Sequence, residues 1–313
     1  MSANLLKAPV SVVVLTRNEE SNITACLESV GWAGEVFVLD SFSTDRTVEI
    51  CEALRSRVYS HPFEGYAAQR NWALDNLPFS NDWILMLDAD ERIPESLAEE
   101  IGAAVTDPDR ACAGYYLKRR FFFLGKWLKN GGLYPTWILR LFKHQRARFE
   151  ARPMNEHAIL SGTSGYLQRP FDHQDRKPFS AWVARHNRYA DLEAGEFLQE
   201  TLAGGYHSSI RTRFWGSQAE RKRWIKLKLW NRLPLLLRPF LLFFRNYFLK
   251  LGFLDGRPGF IYHVMWSFWY PFLVSARILE ARDVRGKLPV PQLLSTEAPP
   301  LAVVTSVAQE PPN

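Results

Sequence analysis

Short apolar runs alternate with stretches of helical spacing along the first third of the chain. Val10-Ser11-Val12-Val13-Val14-Leu15, Glu35-Val36-Phe37-Val38-Leu39 and Trp83-Ile84-Leu85-Met86-Leu87 hold almost no charge. A strand with one wet face would alternate apolar and polar positions, so these runs predict strands buried on both faces. Between them, Ile23, Leu27 and Val30 recur at intervals of three and four, as do Val48, Cys51 and Leu54. That spacing predicts helices, with Ser21 or Asn22 available to cap the first and Asp45 the second. Arg57 to His61 reads as a short strand, Gly65 to Leu77 and Pro94 to Val105 as helices. Strands and helices in this alternation predict an α/β fold, a Rossmann-type, mostly parallel sheet with flanking helices.

The pattern changes beyond residue 110. Gly114 to Phe123, Thr136 to Lys143 and Gly165 to Phe171 predict further strands, and Ser180 to Ala203 a long helix. Leu233 to Leu249 is apolar but interrupted by Pro234, Arg238, Pro239 and Arg245, and Pro258 to Ala276 has no charged residue. Three parts are expected. The first, 1–204, divides at about residue 110; 205–287 is a helical part; 288–313, rich in Pro, Ala, Ser and Thr, is a disordered tail.

Composition sharpens this division. With 313 residues, 47% hydrophobic, the chain can bury a large core. The net charge of +6 is uneven, because residues 205 onward carry 16 Lys+Arg against 6 Asp+Glu. A basic, aromatic second part implies a different partner from the mildly acidic first part. Nucleic acid would account for the cations but not for the long Leu/Phe runs. The 19 uncharged residues from Pro258 could barely span a bilayer, and Arg257 before them and Arg277 after disfavour a single crossing. Amphipathic or re-entrant helices on an anionic membrane surface are expected, with a spanning segment or an ordinary buried or oligomer-forming helical pair as alternatives. Cys26, Cys51 and Cys112 show neither disulfide nor zinc spacing, and Met1 to Pro9 leads straight into the first strand without a secretory signal. A cytoplasmic setting follows as an expectation.

The candidate chemistry stands at strand ends. Leu87 is followed by Asp88-Ala89-Asp90-Glu91, and the second strand ends in Asp40. In open α/β sheets ligands bind outside the carboxyl ends of the strands. Hard oxygen ligands there, with small Ala89 between them, suit Mg²⁺ or Mn²⁺ shared with phosphates; an acidic helix start is the alternative. A G-x-G-x-x-G turn after the first strand is absent, since Thr16-Arg17-Asn18-Glu19 stands there, and no P-loop occurs. Trp137, on a strand-like stretch with Arg140, is either packing or an acceptor platform, and Gln69 either structural or a ligand.

Taken in order, VVLTRNEE, LDSFSTDRT, QRNWAL, WILMLDADER, MNEH and the His173 to Lys177 segment resemble the family-2 glycosyltransferases of the GT-A fold. The likeness covers roughly residues 8 to 282 and is greatest to the bacterial branch that builds lipopolysaccharide core or exopolysaccharide. It implies a GT-A catalytic domain over 1–204 and an enzyme moving sugar from a nucleotide-sugar, by family habit a UDP-sugar. Thr16, Arg17, Glu19 and Asp40 then face base and ribose, and Arg70 and Asn71 the phosphates. Asp88 and Ala89 border the nucleotide, Asp90 with Asp88 binds the metal, and His173 completes its shell or touches the diphosphate. Glu156 matches the catalytic base, although Asn-Glu-His stands where other branches have Glu-Asp. One base and one metal imply inversion at the anomeric carbon. A lipid-linked saccharide is the expected acceptor, at the cytoplasmic face of the inner membrane, peripheral or monotopic. A polyprenyl-phosphate acceptor and a binding protein without turnover are the alternatives.

Overall fold

The computed structural model describes residues 7–107, 112–150, 158–202 and 233–285. The first buried runs are β1 (Ala8–Thr16), β2 (Ala33–Asp40), β3 (Arg57–Ser60) and β4 (Trp83–Asp88). They are joined by α1 (Ile23–Ser29), α2 (Thr47–Ala53) and α3 (Tyr66–Asn76). The four strands pair in parallel in the order β3-β2-β1-β4. Side chains alternate between two apolar layers: Val12, Val14, Leu85 and Leu87 enter one, Val13, Ile84 and Met86 the other. All seven are fully buried, each burial stabilising by about 1.5–3 kcal/mol. A polar residue on either face would forfeit that, hence the nearly continuous apolar runs; the buried Ser11 of β1 is satisfied by donating to Glu35 (2.5 Å).

The sheet continues through β5 (Glu91–Arg92), β6 (Gly114–Phe123), β8 (Thr136–Lys143) and β11 (Ser164–Gln174) in the order β4-β8-β6-β11-β5. Here β4–β8, β8–β6 and β11–β5 are antiparallel, whereas β6–β11 is parallel. The strand β7 (Lys126–Leu128) adds to β6, and β9 (Ala147–Phe149) pairs with β10 (Ala158–Leu160) in a sheet of two. The helix α4 (Glu95–Thr106) covers the first layer through Leu97, Ile101 and Ala104. This is the expected GT-A-like α/β architecture, parallel in its first four strands and mixed beyond.

The long helix α5 (Phe179–Leu202) carries Ala190, Ala194 and Leu198 at four-residue spacing against Tyr270, Val274 and Ile278. Those belong to the helix Tyr270–Arg285, so the described C-terminal residues pack onto the first part of the chain. The charge-free stretch Pro258 to Ala276 is broken. It runs through the helix Gly256–Tyr262, a π-helical segment His263–Trp269 and the start of Tyr270–Arg285. No helix among the described residues is long and apolar enough to cross a membrane. The expected tail, and the basic segment Arg221 to Trp230, lie outside the described residues.

Candidate active site

Parallel register brings the carboxyl ends of three strands level: Thr16 pairs with Asp40, and Leu15 with Asp88. Asp40 is buried, and its carboxylate accepts from the Thr16 hydroxyl (2.9 Å), the Ser43 N–H (2.8 Å) and the Ser43 hydroxyl (2.5 Å). It thereby pins the loop after β2. The loop after β1 interlocks with it: the Asn18 N–H donates to Ser43 and the Thr44 N–H to the Asn18 side chain. Asn18 and Phe42 both take left-handed backbone (φ 55° and 54°), which leaves the Phe42 ring exposed at this edge. Arg17 is exposed on the same rim. Asp45, expected to cap this helix, stands one residue before its N-cap Arg46 and accepts from the N–H and hydroxyl of Thr47.

Asn22 stands at the start of α1 without a side-chain cap bond. It joins the two halves of the edge instead, donating to Glu19 and Asp175 and accepting from the Arg176 N–H. Lys177 pairs with Glu19 at 2.6 Å. Burial raises the Glu19 carboxyl above its usual value, and the Asn22 and Lys177 bonds oppose that rise without cancelling it.

Asp88 ends β4 between two guanidiniums. Arg70 Nη2, from α3, donates to Oδ1 and Arg140 Nη2 to Oδ2, both at 2.7 Å. Burial works to raise this carboxyl, but Arg140 and Arg70 outweigh it and hold it well below the usual carboxylate range. The same Arg140 nitrogen donates to Glu91 Oε1 (2.5 Å), and Glu91 Oε2 accepts the Asp88 N–H (3.1 Å). Burial pushes the fully buried Glu91 carboxyl up, and Arg140 is the main opposition.

Arg140 reaches this point through a β-bulge. Tyr115 opposes Leu141 and Tyr116 opposes Leu139, which leaves Arg140 as the extra residue on β8. Bulges re-aim a side chain in this way. The two-residue strand β5 pairs with β11 so that His173 lies opposite Glu91. His173 Nε2 then sits 3.2 Å from Asp90 Oδ2. Burial disfavours the imidazolium, but Asp90 outweighs it and raises the His173 pKa; the Asp90 carboxyl is lowered, since His173 outweighs its burial.

The predicted residues do not all meet here. Thr16, Arg17, Glu19, Asp40, Arg70, Asp88, Asp90 and His173 share the edge. Asn71 is engaged elsewhere: its side chain donates to the Phe149 carbonyl (2.9 Å) and accepts the Phe149 N–H (3.0 Å), clamping β9 to α3. Ala89 is buried with the apolar layer beneath the loop, so its methyl faces the core. Gln69 is structural, bonded to Ser41 and His61. Glu156 lies outside the described residues. Arg140 as partner of Asp88 and Glu91 was not foreseen.

The donor chemistry fits a divalent cation in part. Asp90 and His173 offer an adjacent carboxylate and imidazole, and His173 Nδ1 is buried without a hydrogen-bond partner. Asp88, expected as a further ligand, has each oxygen taken by an arginine. Among the described residues no three His, Cys, Asp or Glu side chains are grouped to hold a metal. Two protein donors suit Mg²⁺ or Mn²⁺, whose shells are usually completed by waters and substrate phosphates.

The family model described as "Glycosyl transferase family 2" matches residues 11–173, just over half of the chain. The lipopolysaccharide core biosynthesis glycosyltransferase LpsC of Rhizobium meliloti (strain 1021) is 25% identical over 296 residues, 92% of this chain and 98% of that protein. An uncharacterized glycosyltransferase of Rickettsia bellii (strain RML369-C) is 41% identical over 100 residues, 32% of this chain and 33% of that one. Among solved structures, residues 1–349 of TarS from S. aureus align at a TM-score of 0.44 with 16% identity, covering 90% of this chain and 93% of that one. Glucosyl-3-phosphoglycerate synthase from Mycobacterium tuberculosis, in complex with Mn²⁺, UDP and glucosyl-3-phosphoglycerate, aligns at 0.30 with 25% identity, covering 37% of this chain and 44% of that one.

Proposed function

The chain belongs to glycosyl transferase family 2 and is a glycosyltransferase; from that premise we propose that it moves a sugar from a nucleotide-sugar, with UDP the favoured nucleotide, to a hydroxyl of a lipid-linked saccharide. The setting is bacterial lipopolysaccharide or surface polysaccharide synthesis, at the cytoplasmic face of the inner membrane. The observation that carries this reading is the level edge where Asp40, Asp88 and the Asp90–His173 pair stand together.

Each residue has a physical task. Thr16, Arg17, Glu19 and the loop pinned by Asp40 receive the nucleoside. Arg70 and Arg140 fix the Asp88 carboxylate, which faces the ribose while remaining partly open to solvent. Asp90 and His173 would hold Mg²⁺ or Mn²⁺, which as a Lewis acid stabilises charge on the departing diphosphate. Glu156, in the segment between β9 and β10, takes the proton of the acceptor hydroxyl as it attacks. A single base and direct displacement invert the anomeric carbon.

A screen of nucleotide-sugars for hydrolysis with Mg²⁺ or Mn²⁺ tests the donor half. Turnover of one donor, lost by a factor of about 10² or more in Asp90→Ala, is expected. Turnover unchanged by that substitution removes Asp90 from the metal role. Supplying lipid-linked saccharide and polyprenyl phosphate side by side then separates the two acceptor classes.

A further inference from the structure

The turn that follows the π-helical segment Arg245–Leu249 defies the usual chemistry of a turn in water. It reads Leu249-Lys250-Leu251-Gly252-Phe253-Leu254-Asp255. Leu249 and Leu254 are 67% and 58% exposed. Leu251, also exposed, holds left-handed backbone at φ 59°. Gly, Asn or Asp enters that region at low cost and a leucine does not. Phe244, Phe248 and Phe253 extend the exposed apolar surface along the same segment. Contiguous exposure on this scale marks a binding surface rather than scatter.

Charge identifies the occupant. From Leu233 to Ala276 the cations are Arg238, Arg245, Lys250 and Arg257, and the sole acid is Asp255. Asp255 is buried and takes no part in the surface, because its carboxylate accepts the Asn130 N–H (2.9 Å) and the Asn130 side-chain amide (2.8 Å). An apolar tip in a segment whose exposed charges are Arg245, Lys250 and Arg257 matches an anionic bilayer, the acyl chains taking the leucines and the phosphates Arg245 and Arg257.

The turn is also fixed to the sheet. The Gly131 N–H donates to the Lys250 carbonyl (2.8 Å), and a Cβ at Gly131 would come within 2.2 Å of the His263 ring. Asn130 and Gly131 lie in the connection from β7 to β8, and β8 delivers Arg140 to Asp88. The tip therefore cannot shift far without moving the edge that carries the site.

We propose that the Leu249–Leu254 turn is a wedge that enters the acyl layer of an anionic membrane, while the Asn130–Asp255 bond keeps the catalytic edge fixed relative to it. This deepens the reading of a lipid-linked acceptor and rests on it only for the acceptor's identity. The tip dips into one leaflet, and no helix among the described residues is long and apolar enough to cross.

The test uses the full chain and sucrose-loaded vesicles of phosphatidylglycerol and phosphatidylcholine. The unsubstituted protein pellets with them, and Leu251→Glu/Leu254→Glu weakens vesicle affinity by about tenfold or more. Equal pelleting of the two proteins overturns the wedge. So does a dimer in solution that the double substitution dissociates, with no pelleting of either protein. Nucleotide-sugar hydrolysis without vesicles, the same for both proteins, shows the catalytic edge intact; absent hydrolysis in both counts against the transferase reading alone. Should the double variant misfold, an environment-sensitive fluorophore on Leu254→Cys decides. Its emission rises on adding vesicles if the tip is immersed, and an unchanged emission overturns the proposal.

Discussion

Replacing Arg140 by methionine probes the cluster beneath the site with little change in volume. Methionine keeps an unbranched aliphatic stem and removes the guanidinium, so lost charge is separated from lost packing. Two carboxylates lose a partner, and they lose unequally. Asp88 keeps Arg70 at 2.7 Å, and its side chain is 34% exposed, so water covers much of the loss. Glu91 is fully buried and keeps the Asp88 N–H at 3.1 Å, with His173 Nδ1 no nearer than 4.0 Å. Breaking a buried pair by removing one member costs about 3–5 kcal/mol, because the other charge is left stranded. With the Asp88 N–H retained, about 3 kcal/mol is expected for Arg140→Met. Glu91→Gln/Arg140→Met removes the stranded charge together with its cation, and should recover about 2 kcal/mol of that loss. The assay is urea unfolding at pH 7.5 of the four proteins of the cycle, compared at constant m. A cost below about 1 kcal/mol would be that of a solvated pair. Either that result, or a double variant no more stable than the single, refutes a desolvated Arg140–Glu91 contact.

His186 is pulled down to about 4 by burial, which outweighs its bond to the Trp182 carbonyl. The unfolded chain then binds a proton that the folded chain resists, so stability falls as pH drops below about 6.5 and the loss levels off near 4, reaching about 3 kcal/mol. Urea melts of His186→Gln at pH 7 and pH 5 should show that loss reduced by about 2 kcal/mol, with His263, likewise pulled down to about 4 by burial, keeping a limb of similar size and the same sign; a limb unchanged from that of the unsubstituted protein would count against the burial. Asn71→Ala breaks the clamp on Phe149 and should cost about 1–3 kcal/mol of stability while the donor KM stays within about twofold. A donor KM raised tenfold, with stability intact, would return Asn71 to the nucleotide site. Glu156→Gln is expected to keep donor binding and lose transfer by a factor of order 10²; parallel loss of donor binding, measured by calorimetry, would make it a binding residue.

Legibility followed from which contacts are local. β1, β2 and β4 are readable because burial on both faces selects apolar residues at most positions, with Ser11 of β1 buried only by bonding Glu35 of β2, and that shows in one strand's own residues. Their carboxyl ends, and hence Asp40, Asp88 and Asp90, follow from the same runs. The Asn71 clamp was not legible because its partner Phe149 lies 78 positions away in a short strand with no pattern of its own. The stretch from Pro258 was open to reading as a span because composition does not report facing. His263 and Ser267 turn inward, bonded to each other, while Phe260 and Trp266 stay exposed.

Arg140 is the most instructive case. Thr136 to Lys143 is predicted with the strand's own bounds, yet alternation along Trp137-Ile138-Leu139-Arg140-Leu141 says nothing of where the arginine points. The bulge arises from pairing with β6, where Tyr115 and Tyr116 face Leu141 and Leu139, and is written in neither strand alone. A weaker signal was present all the same. A guanidinium inside an apolar run has to meet a carboxylate as deeply buried as itself. Asp88 and Asp90 each had a ligand to explain them, whereas Glu91, the third acid after a buried strand, had none. Two unexplained opposite charges, each locked in an apolar context, are most economically assigned to one another.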